Sequence, residues 1–554
     1  MRREIKLAGP TVVAAALAAT YVIVSPPSLD LAAALFRAWL FAHEPWGIWN
    51  NDWYSGHSTP GYSVLFPAVS AALTPQLAGA LAATATAAPF TALAWRHRGS
   101  AALPGSLLFG AFTAVDLFTG RLPFAFGLLP ATAAVLALDL GWWPLGCALA
   151  AVSALCSPVA ALGAAIVGAG YALAALAADG RRRRGPAPAA PRVRPGAAAP
   201  RVRPGAAAAR VRPGVAARRA WPGVVVAGGA LVPVLALSVA FPEGGREPFE
   251  LGTLLPVLAV TVVAFALSDR FPRLRGCLAV YALALVLSYL IPSPIGANVA
   301  RIGTLLAAPV ATVAFWDRRR VLAAGIAPLL YIGLQAPVQN VVVSTDRPST
   351  TAAFYRPLLR FLESRSGPPF RIEIPFTALH WEAYRVATRI PLARGWERQL
   401  DIGDNPIFYR PGALTARSYR HWLHANAIRY VALPDAELDP SARAEAALIR
   451  SRPRYLRQVA RIGRWEVDAV RHPTPLARGV TALGPDWLAL TARRAGSVLV
   501  RIHWSPYWAL TRGAGCVEPA GAWVRVLLRH PGAARISIRF SLERIGARSP
   551  RCTG

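Results

Sequence analysis

Long apolar runs separated by short polar segments fill the first 340 residues of the chain. Most runs come close to the roughly 20 residues that a helix needs to cross the hydrocarbon core of a bilayer. We therefore interpret 1–340 as a transmembrane domain of about eleven helices, a number accurate to one or two. The predicted spans are 8–25, 75–95, 101–118, 122–139, 142–157, 158–178, 222–240, 251–268, 277–291, 302–316 and 321–338.

The pattern changes after residue 340 to that of a water-soluble protein. Amphipathic helices are predicted at 351–365, 380–390, 416–427 and 442–452, with strands at 371–374 and 428–433. Short alternating strands follow at 497–504, 522–529 and 535–542. The predicted fold is thus an α-helical polytopic membrane bundle, followed by an α/β domain at 341–480 and a small β-rich, sandwich-like domain at 481–554.

Basic residues fall in alternate connections between the apolar runs. They are Arg2, Arg3 and Lys6, then Arg96, His97 and Arg98, then Arg181 to Arg184, then Arg270, Arg273 and Arg275, and finally Arg318, Arg319 and Arg320. Cytoplasmic loops carry such an excess of basic residues. We expect a plasma-membrane protein with a cytoplasmic N-terminus and an extracytoplasmic C-terminal part. The net charge of +32 comes from an arginine-rich, lysine-poor composition typical of a GC-rich genome, with many arginines in short segments between apolar runs, so nucleic acid is not expected as a partner.

Two further features concern compartments. Residues 180–220 repeat Arg-Val-Arg-Pro-Gly three times, which predicts a disordered cytoplasmic linker. This linker either contacts anionic lipid headgroups or has no function of its own. Cys516 and Cys552 both fall in the extracytoplasmic part, where they are candidates for a disulfide.

The first external loop, 26–74, is unusually long and aromatic. It contains Trp49, Trp53, Tyr54 and His57 together with the acidic residues Asp30, Glu44 and Asp52. Amphipathic rings suit the membrane interface, and they also offer surfaces on which sugars stack. Both interpretations, an interfacial aromatic belt and a sugar-binding surface, fit the sequence.

This loop, with an acidic residue directly after the first apolar run, resembles that of the GT-C superfamily of polytopic glycosyltransferases. More closely, DLAAALFRAWLF, WNNDWYSGHSTPGYSVLFP, FTGRLPFAFG, ARGWERQLD and RYVALPD resemble a family of actinobacterial membrane proteins for which no activity is known. The GT-C resemblance implies a polyprenyl-phosphate-linked sugar as donor, an envelope glycan as acceptor, and membrane lipid as surroundings.

The resemblance also implies roles for acidic residues. Asp30 stands where such enzymes place either a catalytic base or a ligand of a divalent metal ion. Only the second role would require a metal cofactor. The neighbours of Asp30, Leu29 and Leu31, supply no second carboxylate, so Asp52 or Glu44 would have to fold back towards it. Asp30 equally suits a helix N-cap.

A lipid phosphate also requires cations at the outer membrane face. Arg121 and Arg301, with Asp116 beside them, fall at external ends of predicted spans, where ionisable groups usually mark a site or pair with each other. The alternative is a structural Asp116–Arg121 pair with Arg301 reaching headgroups. His380 is a candidate for acceptor binding, and a packed Trp381 with surface charges explains that region as well.

The sequence therefore leads to one hypothesis and two alternatives. The leading hypothesis is a GT-C-like membrane glycosyltransferase, or a degenerate relative, acting at the outer face. The alternatives are a multi-pass transporter or flippase, and a non-catalytic envelope scaffold whose external domain binds a partner. No P-loop, Rossmann glycine fingerprint, zinc spacing or nucleophile elbow points elsewhere.

Overall fold

A computed structural model describes residues 2–44, 47–184 and 214–553. Most of the predicted linker at 180–220 lies outside these residues. Thirteen helices occur in the described N-terminal part: α1 Arg2–Val24, α2 Leu31–His43, α3 Phe66–Leu73, α4 Pro75–Arg98, α5 Leu103–Phe118, α6 Leu122–Asp139, α7 Trp143–Cys156, α8 Pro158–Arg184, α9 Gly214–Ala240, α10 Leu251–Leu267, α11 Pro272–Leu290, α12 Ala300–Phe315 and α13 Arg319–Ser344.

Each of the eleven predicted spans coincides with one of these helices, and α2 and α3 belong to the first loop. Within the described residues, eight helical segments are long and apolar enough to cross a membrane. The segment Pro75–Phe118 contains both α4 and α5, whereas α7 and α10 have only 14 and 17 residues. The helical, apolar character of the domain is confirmed, while the number of spans stays a prediction.

Glycines bring neighbouring helices of the bundle into close contact. A Cβ at Gly168 of α8 would lie 2.6 Å from the Gly223 carbonyl oxygen of α9, and one at Gly223 would lie 2.4 Å from that of Gly168. A Cβ at Gly170 would meet Cys277 of α11 at 2.5 Å. Small residues allow such close backbone packing where lipid gives helices little hydrophobic reason to associate.

The α/β domain contains a four-stranded sheet in the order β3-β4-β6-β5, in which only β3 and β4 are parallel. Its strands are β3 Arg371–Glu373, β4 Ile428–Pro434, β5 Leu456–Ile462 and β6 Trp465–Val470. A two-stranded ribbon in the first loop supplies β1 Trp49–Asn50 and β2 His57–Ser58. The helices are α14 Ala352–Glu363, α15 Glu382–Arg385, α16 Arg398–Asp404, α17 Ala416–Ala425 and α18 Arg443–Arg450.

Two four-stranded sheets form the C-terminal domain, in the orders β10-β13-β8-β7 and β14-β11-β12-β9. The strands are β7 Val480–Leu483, β8 Trp487–Ala492, β9 Gly496–His503, β10 Trp508–Arg512, β11 Gly515–Ala520, β12 Trp523–Leu528, β13 Gly532–Ile538 and β14 Arg551–Thr553. Alternate side chains of both sheets enter one apolar core, which gives the predicted sandwich-like architecture. Cys516 is disulfide-bonded, and its register partner across the ladder is Cys552.

The first loop packs between the helical bundle and both C-terminal domains. The Trp53 ring is fully buried, stacks on Phe36 of α2 at 4.2 Å, and donates a hydrogen bond to the Ala383 carbonyl oxygen at 3.0 Å. Trp49 instead enters the sandwich core, where it meets Trp508 edge-on. The loop therefore couples three parts of the molecule.

A buried charge cluster fixes residues 394–404, the segment that meets the first loop. Arg394 donates to Asp401 at 2.7 Å and to Glu445 at 3.1 Å, and its guanidinium lies between the rings of Phe376 and Phe408. Removing one partner of such a buried pair leaves an uncompensated charge, which is strongly destabilising. The cluster thereby holds in place the Gly395-Trp396-Glu397 stretch that follows Arg394.

Gly395 lies directly against the Trp53 ring, because a Cβ there would come within 2.4 Å of Trp53 Cγ. Gly395→Ala should lower the free energy of unfolding by about 1–3 kcal/mol through overpacking. Thermal unfolding in detergent measures this effect. Gly244→Ala is the matched control, because a Cβ at Gly244 meets nothing within 4 Å. Equal melting temperatures for the two variants would contradict tight docking at Gly395.

Stability should also depend on the Glu382 carboxyl. Burial raises its pKa from 4.5 to about 7, although Thr377 and Tyr355 donate hydrogen bonds to it. The folded state therefore holds the proton more tightly than the unfolded state, and stability falls as pH rises from about 4.5 to 7. Glu382→Gln should flatten this fall in a denaturation series from pH 5 to 8. An unchanged pH profile would show that Glu382 ionises freely in the fold.

Candidate functional site

The segment Ser28-Leu29-Asp30 is pressed against the loop between α5 and α6. Gly120 has a φ of +77°, and a Cβ there would lie 2.3 Å from Ser28 Oγ and 2.7 Å from the Leu31 backbone nitrogen. Asn340 of α13 donates to the Phe118 carbonyl oxygen at 2.7 Å and accepts from the Leu29 backbone N–H at 3.3 Å. These contacts bring residues 28–31 and 118–121 together at one end of the bundle.

Asp30 and Arg121 meet at this junction. Arg121 Nε lies 3.8 Å from Asp30 Oδ2, and about a quarter of each side chain is exposed. The other carboxylate oxygen, Asp30 Oδ1, accepts a hydrogen bond from Trp396 Nε1 at 3.2 Å. Asp30 occupies the N-cap position of α2, but its side chain makes no capping hydrogen bond. The carboxylate is therefore directed at the junction and not at the helix backbone.

Three more charged residues share the electrostatic environment of this pair. Arg301 interacts with Arg121, Asp116 and Glu247, and Asp116 interacts with Arg121 as well. Glu247 is held nearby because Gly296, at the approach to α12, packs on the Glu247 backbone. The structure thus brings together four residues that the sequence nominated separately: Asp30, Asp116, Arg121 and Arg301.

The backbone adds positive potential to this cluster. Asp30, Arg121 and Arg301 stand at or within two residues of the N-termini of α2, α6 and α12 respectively. A helix N-terminus carries roughly half a positive charge and exposes unpaired N–H groups, which favours bound anions. Asp30, which has partial access to solvent, thus lies 3.8 Å from Arg121 and in the same electrostatic environment as Arg301. The arrangement suits a phosphate held beside a general base.

Several buried polar atoms of the cluster have no hydrogen-bond partner among the described residues. They include Arg121 Nε, Asp116 Oδ2 and Ser28 Oγ. No Asp116–Arg121 ion pair closer than 4.0 Å exists in the described part of the chain, although the Arg121 backbone N–H donates to the Asp116 carbonyl oxygen at 2.9 Å. Unsatisfied buried groups are costly and call for an explanation, and a ligand that completes the set is one.

The α/β domain covers the cluster with residues 394–401. Trp396, which holds Asp30, stacks on the His380 ring at 3.5 Å, and His380 in turn lies 3.3 Å from Asp439. Next to Trp396, Glu397 forms a buried ion pair with Arg37 of α2. Tyr54 locks the same stretch, because its hydroxyl donates to the Glu397 carbonyl oxygen and accepts from the Glu397 N–H.

His380 therefore positions other groups and does not present itself to an acceptor. Its side chain is fully buried, its φ is +55°, and burial lowers its pKa. The predicted role of His380 in direct acceptor binding does not fit this burial. His380 instead stacks on Trp396, and Trp396 donates a hydrogen bond to Asp30. Through these contacts the α/β domain helps to fix the position of the Asp30 side chain.

Asp52 lies apart from the Asp30 cluster in its contacts. Burial raises its pKa to about 7, and its charged neighbour is Arg371, which opposes that shift. Arg371 is itself fully buried and donates to the Asn426 carbonyl oxygen at 2.7 Å. The hypothesis that Asp52 folds back towards Asp30 does not fit these contacts. Asp52 instead has a structural role beside Arg371 of the α/β domain. Glu44 likewise has Asp486, Arg535 and His43 as its electrostatic partners.

The aromatic residues of the first loop are also occupied by protein. Trp49, Trp53 and Tyr54 are at most 4% exposed, so their faces are not free to stack on a sugar. His57 is buried against Asn50 and Glu243, and burial lowers its pKa to about 3. The aromatic residues of the first loop suggested a binding surface. The sequence does not show that another domain covers them in the folded protein.

Sequence reasoning missed the supporting residues of the site. Trp396 lies in the segment ARGWERQLD, which was quoted for the family resemblance. Nothing in the neighbouring sequence indicates that Trp396 donates a hydrogen bond to Asp30, 366 positions away. Gly120 sits next to Arg121 in Thr-Gly-Arg, and this turn signal was the one available clue to close packing. Asn340 and Glu247 carry no motif.

Among the described residues, no group of three or more His, Cys, Asp or Glu side chains is arranged to hold a metal ion. The side chains of this cluster are the carboxylates of Asp30, Asp116 and Glu247 and the guanidiniums of Arg121 and Arg301, and the indole N–H of Trp396 donates to Asp30. Comparison with known proteins adds no further constraint, since no protein-family model and no curated protein matches the chain.

Proposed function

We propose that the protein is a GT-C-like membrane glycosyltransferase that takes a sugar from a polyprenyl phosphate at the outer membrane face and transfers it to an envelope glycan. The observation that supports the proposal is the position of Asp30, 3.8 Å from Arg121, in an electrostatic environment that these two residues share with Arg301. An inverting transfer requires a base beside an anion site, and this cluster offers both groups together.

In the proposed reaction, the Asp30 carboxylate removes the proton of an acceptor hydroxyl. The oxygen then attacks the anomeric carbon of the donor, and the bond from that carbon to the phosphate oxygen breaks. The electron pair leaves with polyprenyl phosphate, whose negative charge is stabilised by Arg121 and Arg301. Trp396 keeps the base in place through its indole N–H.

A second candidate function is a non-catalytic scaffold, favoured by the burial of the first-loop aromatics between the domains. A scaffold would need the tail domains to bind its partner, but it would not need the charged residues of the Asp30 cluster. Transport has less support, because the charged clusters of Asp30 and of Asp139 lie at the ends of the apolar helices and not midway along them.

Topology is part of the proposal. Asp139 binds Arg96 at 3.0 Å, His97 at 3.0 Å and Arg273 at 2.7 Å, so basic residues of two connections meet at the end opposite Asp30. Such an excess of basic residues favours the cytoplasmic side. The disulfide-bonded Cys516 in the tail suits an oxidising compartment. Both observations support an extracytoplasmic site and tail.

Asp30→Asn should reduce sugar transfer by about 100- to 10,000-fold, because proton removal from the acceptor is lost. The measurement is release of polyprenyl phosphate by the full chain in liposomes supplied with polyprenyl-phosphate-linked sugars. Arg301→Gln should chiefly raise the KM for the donor, with partial recovery in Arg301→Lys. Asp435→Asn, at an exposed ion pair with Arg464, is the matched control. Full activity of Asp30→Asn at normal expression would remove Asp30 from the mechanism and favour the scaffold.

Orientation is tested by labelling single cysteines in intact cells with a membrane-impermeant maleimide. Arg494→Cys, at an exposed position of the tail, should react, whereas Arg320→Cys, exposed at the basic end, should react only after the cells are opened. The reverse pattern would invert the topology and exclude a site at the outer face.

A further inference from the structure

A cleft of about 390 Å³ opens at one end of the α/β-domain sheet, apart from the Asp30 cluster. It is lined by Arg429, Tyr430, Arg457, Arg471 and His472, with Ala469, Val470 and Pro473 between them. Ala469 of β6 stands in register between Tyr430 of β4 and Arg457 of β5. Because the central strand carries a methyl group where its neighbours carry long side chains, the sheet surface is depressed at this point.

The charge of the cleft is unbalanced. Three arginines and a histidine line it, and no carboxylate does. None of these three arginines forms an ion pair with the described residues, whereas Arg452 and Arg461 on the adjoining β5 hairpin both pair with Glu466. Like charges held close together repel, and an oxyanion placed among them would relieve that repulsion.

The surroundings extend the same potential. His424, whose backbone carbonyl accepts from Arg501, interacts electrostatically with His472, Arg420, His421 and Arg501. Arg429 is held in position, because its guanidinium lies 5.2 Å from the Phe370 ring and 5.4 Å from the Tyr430 ring. Arg457, Arg471 and His472 are exposed and free to turn towards a ligand. One fixed and two adjustable guanidiniums suit bidentate recognition of an oxyanion.

We propose that this cleft binds a small oxyanionic ligand, one that carries a phosphate or a carboxylate group. The volume lies near the lower end of the range for small-molecule sites, which fits a ligand of small size. The inference does not depend on the transferase proposal, because none of its residues belongs to the Asp30 cluster.

The test is calorimetric titration of the full chain in detergent at low ionic strength, with inorganic phosphate and glucuronate as separate probes and glucose as the neutral control. We expect saturable binding of at least one anion, weakened by added salt, and none of glucose. The double variant Arg457→Gln/Arg471→Gln should weaken binding by about tenfold or more, since two charge-assisted contacts are lost. It leaves the Arg429 stacking intact, so its melting temperature should stay unchanged.

Two controls make the outcome decisive. Arg461→Gln changes an exposed arginine of the same strand that is already ion-paired, and it should alter affinity by less than about twofold. Arg121→Gln/Arg301→Gln should leave the cleft-dependent binding intact. Whether phosphate or glucuronate binds more tightly identifies the anionic group. Absence of saturable binding, an equal loss in Arg461→Gln, or loss of all binding in Arg121→Gln/Arg301→Gln would overturn the proposal.

Discussion

The architecture depends on the docking of residues 394–401 onto the first loop, residues 26–74. Arg394 is fixed among buried carboxylates and aromatic rings, so the residues after it have a defined path. Along that path Gly395 meets Trp53, Trp396 meets Asp30, and Glu397 meets Arg37. Each contact joins the tail to the first loop across more than 300 positions of sequence. Without this docking, the carboxylate of Asp30 would lose its hydrogen-bonded support.

The same docking explains why a charged cluster persists at the end of an apolar bundle. Ionisable groups are costly in such surroundings unless they are paired or serve a ligand. Arg37 is neutralised by Glu397, whereas Arg121 and Arg301 share only Asp30, Asp116 and the more distant Glu247. The cluster therefore keeps buried polar atoms, such as Arg121 Nε and Asp116 Oδ2, that have no hydrogen-bond partner among the described residues, and the Asp30–Arg121 pair is partly exposed.

Prediction succeeded where the signal is local. The apolar runs gave helices at all eleven positions, and alternation gave β9 and β12 within one residue of their predicted bounds, whereas β13 begins three residues and ends four residues earlier than predicted. The first-loop aromatics and His380 are buried, which fits the packing alternatives better than a sugar-binding surface. Rings that suit a sugar also suit a protein interface, and composition does not distinguish the two. Asp52 likewise gained Arg371 as its neighbour and not Asp30.

The sequence by itself determined the partition into an apolar helical part and a polar tail, because hydropathy is a property of short stretches of sequence. It also nominated Asp30, Asp116, Arg121 and Arg301, because the cost of placing a charge near an apolar segment depends on only a few neighbouring residues. Only the tertiary structure decided that these four share one environment while Asp52 and the tryptophans do not. That decision depends on close backbone contacts, such as Gly120 on Ser28 and Gly296 on Glu247. Packing of this kind depends on contacts between residues that are distant in sequence, so no local sequence pattern predicts it.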